Sequence, residues 1–353
     1  MKIVAEYIWL GGTGELRSKA RTLDLSNKYN QFSNRIEKFS ISDIPNWNYD
    51  GSSTEQATGT DSEVIIKPCS YYKCPFRNYN DILVMCDTYK PDGTPLDGNN
   101  RHWAKQHFDK NLDAKPWYGI EQEFFMMTYN GMPWQLNDLN TAKPQGQYYC
   151  SVGTENAFGR KLIEKHYDLC LYAGLSISGI NAEVAPSQWE YQIGPVEGIE
   201  AGDQLWISRY ILLRVAEEFE ICINFEPKPL EGDWNGSGCH TNYSTQSMRN
   251  MDVVVETKTG LDYINEAIEK LSLKHDEHMK VYGSGNELRM TGHHETSSFN
   301  EFNSGVANRG ASVRIPNETA KNKYGYFEDR RPSSNMDPYL VTGILFKTTV
   351  LDE

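Results

Sequence analysis

The stretch Gly119-Ile120-Glu121-Gln122-Glu123-Phe124-Phe125-Met126 reads as a strand with an apolar end, and its two glutamates, two positions apart, point to the same face of a sheet. Like charges side by side on a sheet are unfavourable unless something neutralises them, so that face is either a solvated edge or the wall of a site. A second stretch, Asn181-Ala182-Glu183-Val184-Ala185-Pro186-Ser187-Gln188-Trp189-Glu190-Tyr191-Gln192, favours the site. A two-residue turn at Pro186-Ser187 would pair Ala185 with Gln188, and hence Glu183 with Glu190, in apolar strands where glutamate is depleted. Two such acidic pairs suggest a divalent cation, and hard oxygen donors favour Mg2+ or Mn2+ over zinc.

Working outward, His240 lies in the small-residue stretch Asn235-Gly236-Ser237-Gly238-Cys239-His240-Thr241-Asn242-Tyr243-Ser244, where backbone can approach a ligand closely. A lone histidine is commonly structural, but beside carboxylates it becomes a plausible nitrogen donor. Arg289, Arg309, Arg314, Arg330 and Arg331 crowd into the last quarter, several flanked by Gly, Asn and Ser. They read either as surface ion pairs or as a phosphate clamp, since guanidinium forks bind phosphate and carboxylate bidentately. No GxxxxGK[ST] occurs, which excludes a P-loop enzyme.

The 353-residue chain is 39% apolar and 12% aromatic, enough for one large core or two smaller ones. Apolar runs such as that beginning at Tyr210 fall far short of the ~20 residues of a membrane span, and the start carries no signal-peptide pattern. The seven cysteines are scattered without CxxC spacing, as in a reducing compartment, so the cytoplasm is the expected location. A net charge of −13 argues against a nucleic-acid surface and makes locally clustered arginines informative.

From 1 to about 90 the pattern is of short strands and turns: Ile3 to Leu10 precedes Gly11-Gly12-Thr13-Gly14, and Asp81 to Cys86 reads as a buried strand. Residues 24–43 are polar and read as a surface excursion. Lys90-Pro91-Asp92-Gly93-Thr94-Pro95 is a turn cluster that divides domain 1–90 from domain 91–353. Beyond it helices alternate with strands: one capped by Asn100 through Phe108, then Glu155–Ala173 ending at Gly174, Asp203–Ile221 and Leu261–Tyr282. Their apolar spacing indicates buried faces, with partner-binding helices as the rarer cause.

Taken together, these segments resemble the glutamine synthetases of the eukaryotic type over nearly the whole chain. Trp47-Asn48-Tyr49-Asp50-Gly51-Ser52-Ser53-Thr54, the Glu121/Glu123 strand, Asn181 to Pro195, Asn235 to Ser244, His294-Glu295-Thr296-Ser297, Gly305 to Arg314 and Tyr326 to Pro332 stand in that family's order. The resemblance implies an α+β fold: a small N-terminal β-grasp domain followed by a larger α/β catalytic domain with a curved antiparallel sheet. It implies ATP-dependent joining of ammonia to glutamate through γ-glutamyl phosphate, with two or three Mg2+ or Mn2+ ions per site.

By matching motif positions, one metal would be held by Glu123, Glu183 and Glu190, and another by Glu121, His240 and Glu328. Glutamate would be oriented by Glu121, Asn235, Gly236, His240, Arg289, Arg309 and Arg330, and ATP by Asn242, Ser244, Arg309 and Arg314. Asp50, Ser53, Glu295, Arg309 and Arg330 would serve the chemistry, with Asp50 and Glu295 acting on ammonium. The family also implies a homo-oligomer, a decamer of two stacked rings, with sites completed between subunits. The chain departs from the family in lacking an N-terminal arm, in its longer 24–43 segment, in stopping soon after Val350, and in Leu288, which stands where a second arginine usually precedes Arg289, after a shortened 281–288 loop. Two rival readings remain: a ligase of the same fold acting on another amine or acid, and a non-catalytic binding descendant. The retained Asp50, Glu295 and charged ligands argue against both.

Overall fold

The computed structural model describes the chain except for residues 31–34, 37–38, 78–79 and 251–257. The 24–43 excursion therefore lies partly outside the described residues. The chain separates into two compact units, Met1–Trp103 with Leu169–Leu175, and Ala104–Asp168 with Ser176–Glu353. The turn cluster at residues 90–95, where the sequence sets the division, lies inside the first unit.

In the first unit the apolar run after Met1 forms β1 (Lys2–Leu10), which turns at Gly14, in a left-handed conformation, into β2 (Leu16–Asp24). A minor hairpin, β3 (Tyr29–Asn30) with β4 (Arg35–Ile36), follows, then β5 (Trp47–Asp50), β6 (Glu63–Lys73) and β7 (Ile82–Tyr89). Five strands make one sheet in the order β2-β1-β7-β6-β5, with β1 and β7 parallel and the other pairs antiparallel. Tyr7, Trp9, Ile66 and Val84 belong to its core, and Trp9 stacks on Tyr49 at 4.6 Å. The helix α1 (Asn100–Phe108) begins where Asn100 was expected to cap one.

The second unit is built on an eight-stranded sheet: β8 (Trp117–Met127), β9 (Ile177–Ala182), β10 (Gln188–Glu197), β11 (Cys222–Asn224), β12 (Cys239–Ser244), β13 (Ser304–Val306), β14 (Val313–Ile315) and β15 (Phe327–Asp329). Its order is β13-β14-β15-β12-β8-β10-β9, with β11 also on β8, and only β13 and β14 run parallel. Helices α2 (Arg160–Ala173), α3 (Ile199–Phe219), α4 (Gln246–Arg249), α5 (Gly260–Leu273), α6 (His275–Met279), α7 (Asn317–Asn322) and α8 (Pro338–Phe346) complete the order. Among the described residues, no helix is long and apolar enough to cross a membrane.

Helix boundaries move for local reasons. α2 starts at Arg160 rather than Glu155 because Gly159 turns left-handed and donates its N–H to Gln135 Oε1 at 2.9 Å. The single helix expected over 261–282 breaks at Lys274, and the next residue, His275, is buried with Nε2 2.9 Å from the Phe299 carbonyl. α8 starts sharply, with Pro338 in its first turn and Asp337 accepting from the Tyr339 N–H at 2.8 Å.

The centre of the sheet is locked from its covered side. Gln122 alternates with Glu121 and Glu123, so it faces the other way and meets α3. There the buried Arg209 donates to Gln122 Oε1 at 2.8 Å and to the Met336 and Ser334 carbonyls at 2.9 and 3.0 Å. At the C-terminal end of β15 the same alternation separates four consecutive charges. Glu328 and Arg330 pair at 2.6 Å, whereas Asp329 and Arg331, both fully buried, pair bidentately at 2.9 and 2.7 Å. Arg331 is thus a core residue, not part of the anion clamp that the sequence suggested. Replacing it by Leu leaves Asp329 buried without its counter-charge, for which the expected loss is about 3–5 kcal/mol of folding free energy in denaturant titrations.

Candidate active site

Residues directly opposite in paired strands share a face, so the register dictates what meets what. On β8, Glu123 lies opposite Glu190 of β10, which lies opposite Asn181 of β9. Glu121 lies opposite Gln192 of β10 and His240 of β12. Asn242 of β12 lies opposite Glu328 of β15, itself opposite Arg314 of β14. These cross-strand rows bring carboxylates, an imidazole and a guanidinium onto one face.

The hairpin pairing of Glu183 with Glu190 does not form. Ala182 pairs with Trp189, and residues 183–187 make the connection: the Glu183 N–H donates to the Gln188 carbonyl at 2.9 Å, and Ser187 sits at φ 60°. Pro186 has no N–H to give a ladder, and the Ser187 hydroxyl donates to the Trp134 carbonyl, which ties the loop down. The register slides by two positions. An even slide keeps Glu190 on its face, and its opposing carboxylate becomes Glu123.

A cavity of about 210 Å³ opens on this face. It gathers Glu121, Glu123, Glu183, Glu190, His240 and Glu328, together with Asn235, Gly236 and Arg289. Arg309, Arg314, Arg330 and Glu295 close its other walls. Asn242 and Ser244 line a neighbouring cavity instead, and Asp50 and Ser53 belong to the first unit. There Asp50 accepts from the Ser52 hydroxyl at 2.6 Å, the Ser52 N–H at 3.0 Å and the Ser53 hydroxyl at 2.8 Å; these bonds hold its carboxyl below the usual range and keep it anionic.

Burial sets the electrostatics. It pushes Glu123 up to about 7 against the opposing Gly238 N–H, which donates to Oε2 at 2.9 Å. It pushes Glu183 up to about 8, helped by the charge of Glu123, while Asn181 donates to its Oε1 at 2.9 Å. Glu190 is raised well above the usual range by burial and by Glu121, Glu123 and Glu183. His240 is driven well below its usual value by burial and then by Arg330, so its imidazole is neutral. Its Nδ1 lies 3.5 Å from Glu121, 3.6 Å from Glu328 and 4.0 Å from Glu123.

Crowded carboxylates that hold protons only because they are buried together, beside a neutral imidazole, fit a hard divalent cation. Glu121, His240 and Glu328 offer donor atoms all within 4.8 Å of one another. Glu328 is held by Arg330 at Oε1 and by Arg314 at Oε2, the latter at 3.1 Å. Gly236 is required by packing: a Cβ there would lie 2.3 Å from Arg289 Cγ and 2.4 Å from the Pro227 carbonyl oxygen. Arg289 is itself buried, donating to the Arg331 carbonyl at 2.6 Å and to Asn286 Oδ1 at 3.0 Å, and burial lowers it to about 10.

The adjoining cavity, about 580 Å³, is walled by aromatic rings and backbone and shares Glu121 with the first. The Arg249 guanidinium lies over the Trp117 ring at 3.9 Å and donates to the Ser244 hydroxyl at 3.0 Å, and Tyr326 stands exposed on the rim. A flat, aromatic slot opening onto a charged cavity suits a base joined to phosphates. Sequence reading missed Trp117, Arg249 and Tyr326 as site residues. A tryptophan at the start of a strand, next to Pro116, was the available signal for the first.

Comparison with known proteins gives the arrangement a family. Residues 98–273 match the model for "Glutamine synthetase, catalytic domain". "Glutamine synthetase" of Saccharomyces cerevisiae is 54% identical over 347 residues, covering 98% of this chain and 89% of the yeast protein. The chain belongs to the glutamine synthetase family. Within that family, "Putative glutamine synthetase" of Acanthamoeba polyphaga mimivirus is 54% identical over 346 residues, 98% of this chain and 93% of its own. "Glutamine synthetase cytosolic isozyme 1-5" of Arabidopsis thaliana is 53% identical over 356 residues, 99% and 95%. The glutamine synthetase fold is shared with the solved structure "Apo GmaS without ligand", at TM-score 0.73 and 18% identity, covering 99% of this chain and 77% of that one.

The raised carboxylates set a pH dependence. Their folded values lie above the ordinary 4.5, so between about pH 5 and pH 8 the folded chain binds more protons than the unfolded chain. Stability in chelator is therefore full below that window and falls as pH rises through it. Divalent cation replaces the protons, so Mg2+ should raise the thermal midpoint most near the upper end. Calorimetry in chelator and in Mg2+ checks both; a midpoint that climbs with pH in chelator contradicts the reading.

Proposed function

We infer that the chain is a glutamate–ammonia ligase that uses ATP to activate the side-chain carboxylate of glutamate and then forms the amide of glutamine. The observation that carries this reading to particular residues is the face of carboxylates and one imidazole, ringed by arginines, that opens beside an aromatic slot. The two domains are taken as residues 1–90 and 91–353.

On this reading Glu123, Glu183 and Glu190 would hold one divalent cation and Glu121, His240 and Glu328, whose donor atoms lie within 4.8 Å of one another, a second, with Mg2+ or Mn2+ as the ions and two or three per site. Bound there, the ions would neutralise phosphate charge as it develops. The base of ATP takes the slot between Trp117 and Tyr326, where Asn242 and Ser244 stand, and its phosphates extend past Glu121 toward Arg314 and Arg309. Glutamate lies along Asn235, Gly236 and His240 with Arg289 behind them, and Arg309 and Arg330 face its reacting end.

The γ-carboxylate oxygen attacks the γ-phosphorus, ADP leaves, and the negative charge that builds on the transferring phosphoryl group is met by Arg309 and Arg330. Ammonia then attacks the acyl phosphate carbon, the C–O bond to phosphate breaks, and the nitrogen's surplus proton leaves with the departing phosphate. Ammonium, abundant at neutral pH, has no lone pair, so Asp50 binds it and Glu295 takes its proton. Glu295 reaches Arg309 at 3.1 Å, which ties the base to the phosphoryl group's neighbour. Asp50 and Ser53 serve the site of an adjacent subunit in a homo-oligomer, a decamer of stacked rings, working in the cytoplasm.

The test is phosphate release from ATP with glutamate and Mg2+, with and without ammonium, for wild type and Glu295→Ala. Release that needs both substrates, with equal glutamine, is expected, together with a loss of about 10²-fold or more in the variant. Activity with a primary amine and none with ammonium would favour the other-amine ligase, and ATP binding without turnover would favour the binding protein. Light scattering should give an oligomer; a monomeric mass overturns the shared-site proposal.

A further inference from the structure

Gln145 touches neither cavity, yet three of its hydrogen bonds end on two residues that line the charged one. Its Oε1 accepts from the Asn235 backbone N–H. Its Nε2 donates to Asn235 Oδ1 at 2.7 Å and lies 3.2 Å from His294 Nδ1. A backbone N–H can only donate, so the amide orientation is settled: Oε1 faces Asn235 N, and Nε2 faces the other two. His294 Nδ1 must then accept, which places the ring proton on Nε2, where Asp233 Oδ1 receives it at 3.0 Å. The chain of donors runs one way, from Asn235 N–H to Gln145 Oε1 on one side, and from Gln145 Nε2 through His294 to Asp233 on the other.

This wire joins two segments far apart in sequence. Asn235 and Gly236 form one wall of the cavity, and His294 with Glu295 forms another. His294 and Glu295 are consecutive non-glycine residues in the left-handed region, at φ 53° and 60°. That conformation is strained for a residue with a Cβ and persists only where surrounding contacts impose it. The His294 bonds to Gln145 and Asp233 are contacts of that kind, and Gln145 hydrogen-bonds to both walls, at Asn235 and at His294.

We propose that Gln145 is a positioning residue that couples the glutamate-binding wall at Asn235 to the segment carrying Glu295. This rests on the ligase reading. By accepting from the Asn235 backbone N–H and donating to its Oδ1 it fixes the orientation of that side chain toward glutamate. Through His294 it holds Glu295 where it faces ammonium and shields the acyl phosphate. With Gln145 removed, Asn235 loses its orientation and the 294–295 turn loses a constraint. Water then competes with ammonia: it adds to the γ-carbonyl of glutamyl phosphate, phosphate leaves, and glutamate is returned. ATP is spent without glutamine.

The experiment measures phosphate and glutamine together for wild type, Gln145→Ala, Gln145→Glu, His294→Ala and the double variant Gln145→Ala with His294→Ala. Gln145→Glu keeps the size and the acceptor for Asn235 N–H but removes both donors, and thermal midpoints report folding. Expected are a KM for glutamate raised about tenfold with the KM for ATP within about twofold, and a phosphate-to-glutamine ratio above one in both Gln145 variants. The double variant should be little worse than the poorer single one, because both sever the same wire. Glutamate and ATP constants moving together, a ratio that stays at one in both variants, or additive losses would overturn the inference. Absence of glutamine from wild type sinks the ligase reading itself; normal wild-type turnover with unchanged stoichiometry in the variants sinks this one alone.

Discussion

The constraint on which the rest of the second unit depends is the placement of Glu123 directly opposite Glu190 in the middle of a sheet, with Glu121 one step along and His240 beside it. Strand pairing cannot relieve that crowding, because any register that keeps the apolar face on the core keeps the carboxylates together on the other. Relief comes from outside the pair. Gly238 and Gln188 donate to Glu123, Gln192 donates to Glu190, Asn242 to Glu121, and Arg314 and Arg330 bracket Glu328. The opposite face is locked by Arg209 on Gln122, so the acidic face stands on a rigid support.

The same crowding connects the fold to the chemistry. A site that must hold a polyphosphate and an amino acid, both anionic, in a chain of net charge −13 needs positive charge brought in locally. Arginines do this around the margins of the acidic face: Arg314, on β14 of the sheet, and Arg309, in the turn after β13, are partly open to solvent, whereas Arg289 is buried against carbonyls and shapes the Asn235–Gly236 wall. The floor carries the carboxylates and His240. This division of labour lets one cavity present opposite charges to different parts of its ligands.

Much of this was legible because period-two alternation is a strong signal. The spacing of Glu121 and Glu123 placed both on one face, and the structure agrees. The hairpin failed in its register because loop length was decided by the Ser187 hydroxyl reaching the Trp134 carbonyl, a tertiary contact with no local trace. Arg330 and Arg331 looked equivalent in a run of charges, and only the pleat separates the residue that lines the cavity from the core one. Gln145 and Arg249 were invisible for a related reason: Gln145 bonds Asn235, 90 positions away, and Arg249 bonds Ser244 at the end of β12 and the distant Lys115 carbonyl, which composition does not record.

The order of strands across the sheet bears on how the molecule is made. β8, which carries Glu121 and Glu123, has β12 and then β15 on one side, and β15 comes some two hundred residues later. During synthesis the acidic strands emerge long before Glu328, Arg314 and Arg330 exist to flank them. A nascent chain therefore holds its most crowded negative face without its arginine partners until the last quarter is released. Contacts of such long sequence separation form slowly. Ribosome-bound intermediates would be expected to keep this sheet open on its β12 side, and chaperones that shield unpaired strand edges would find it there.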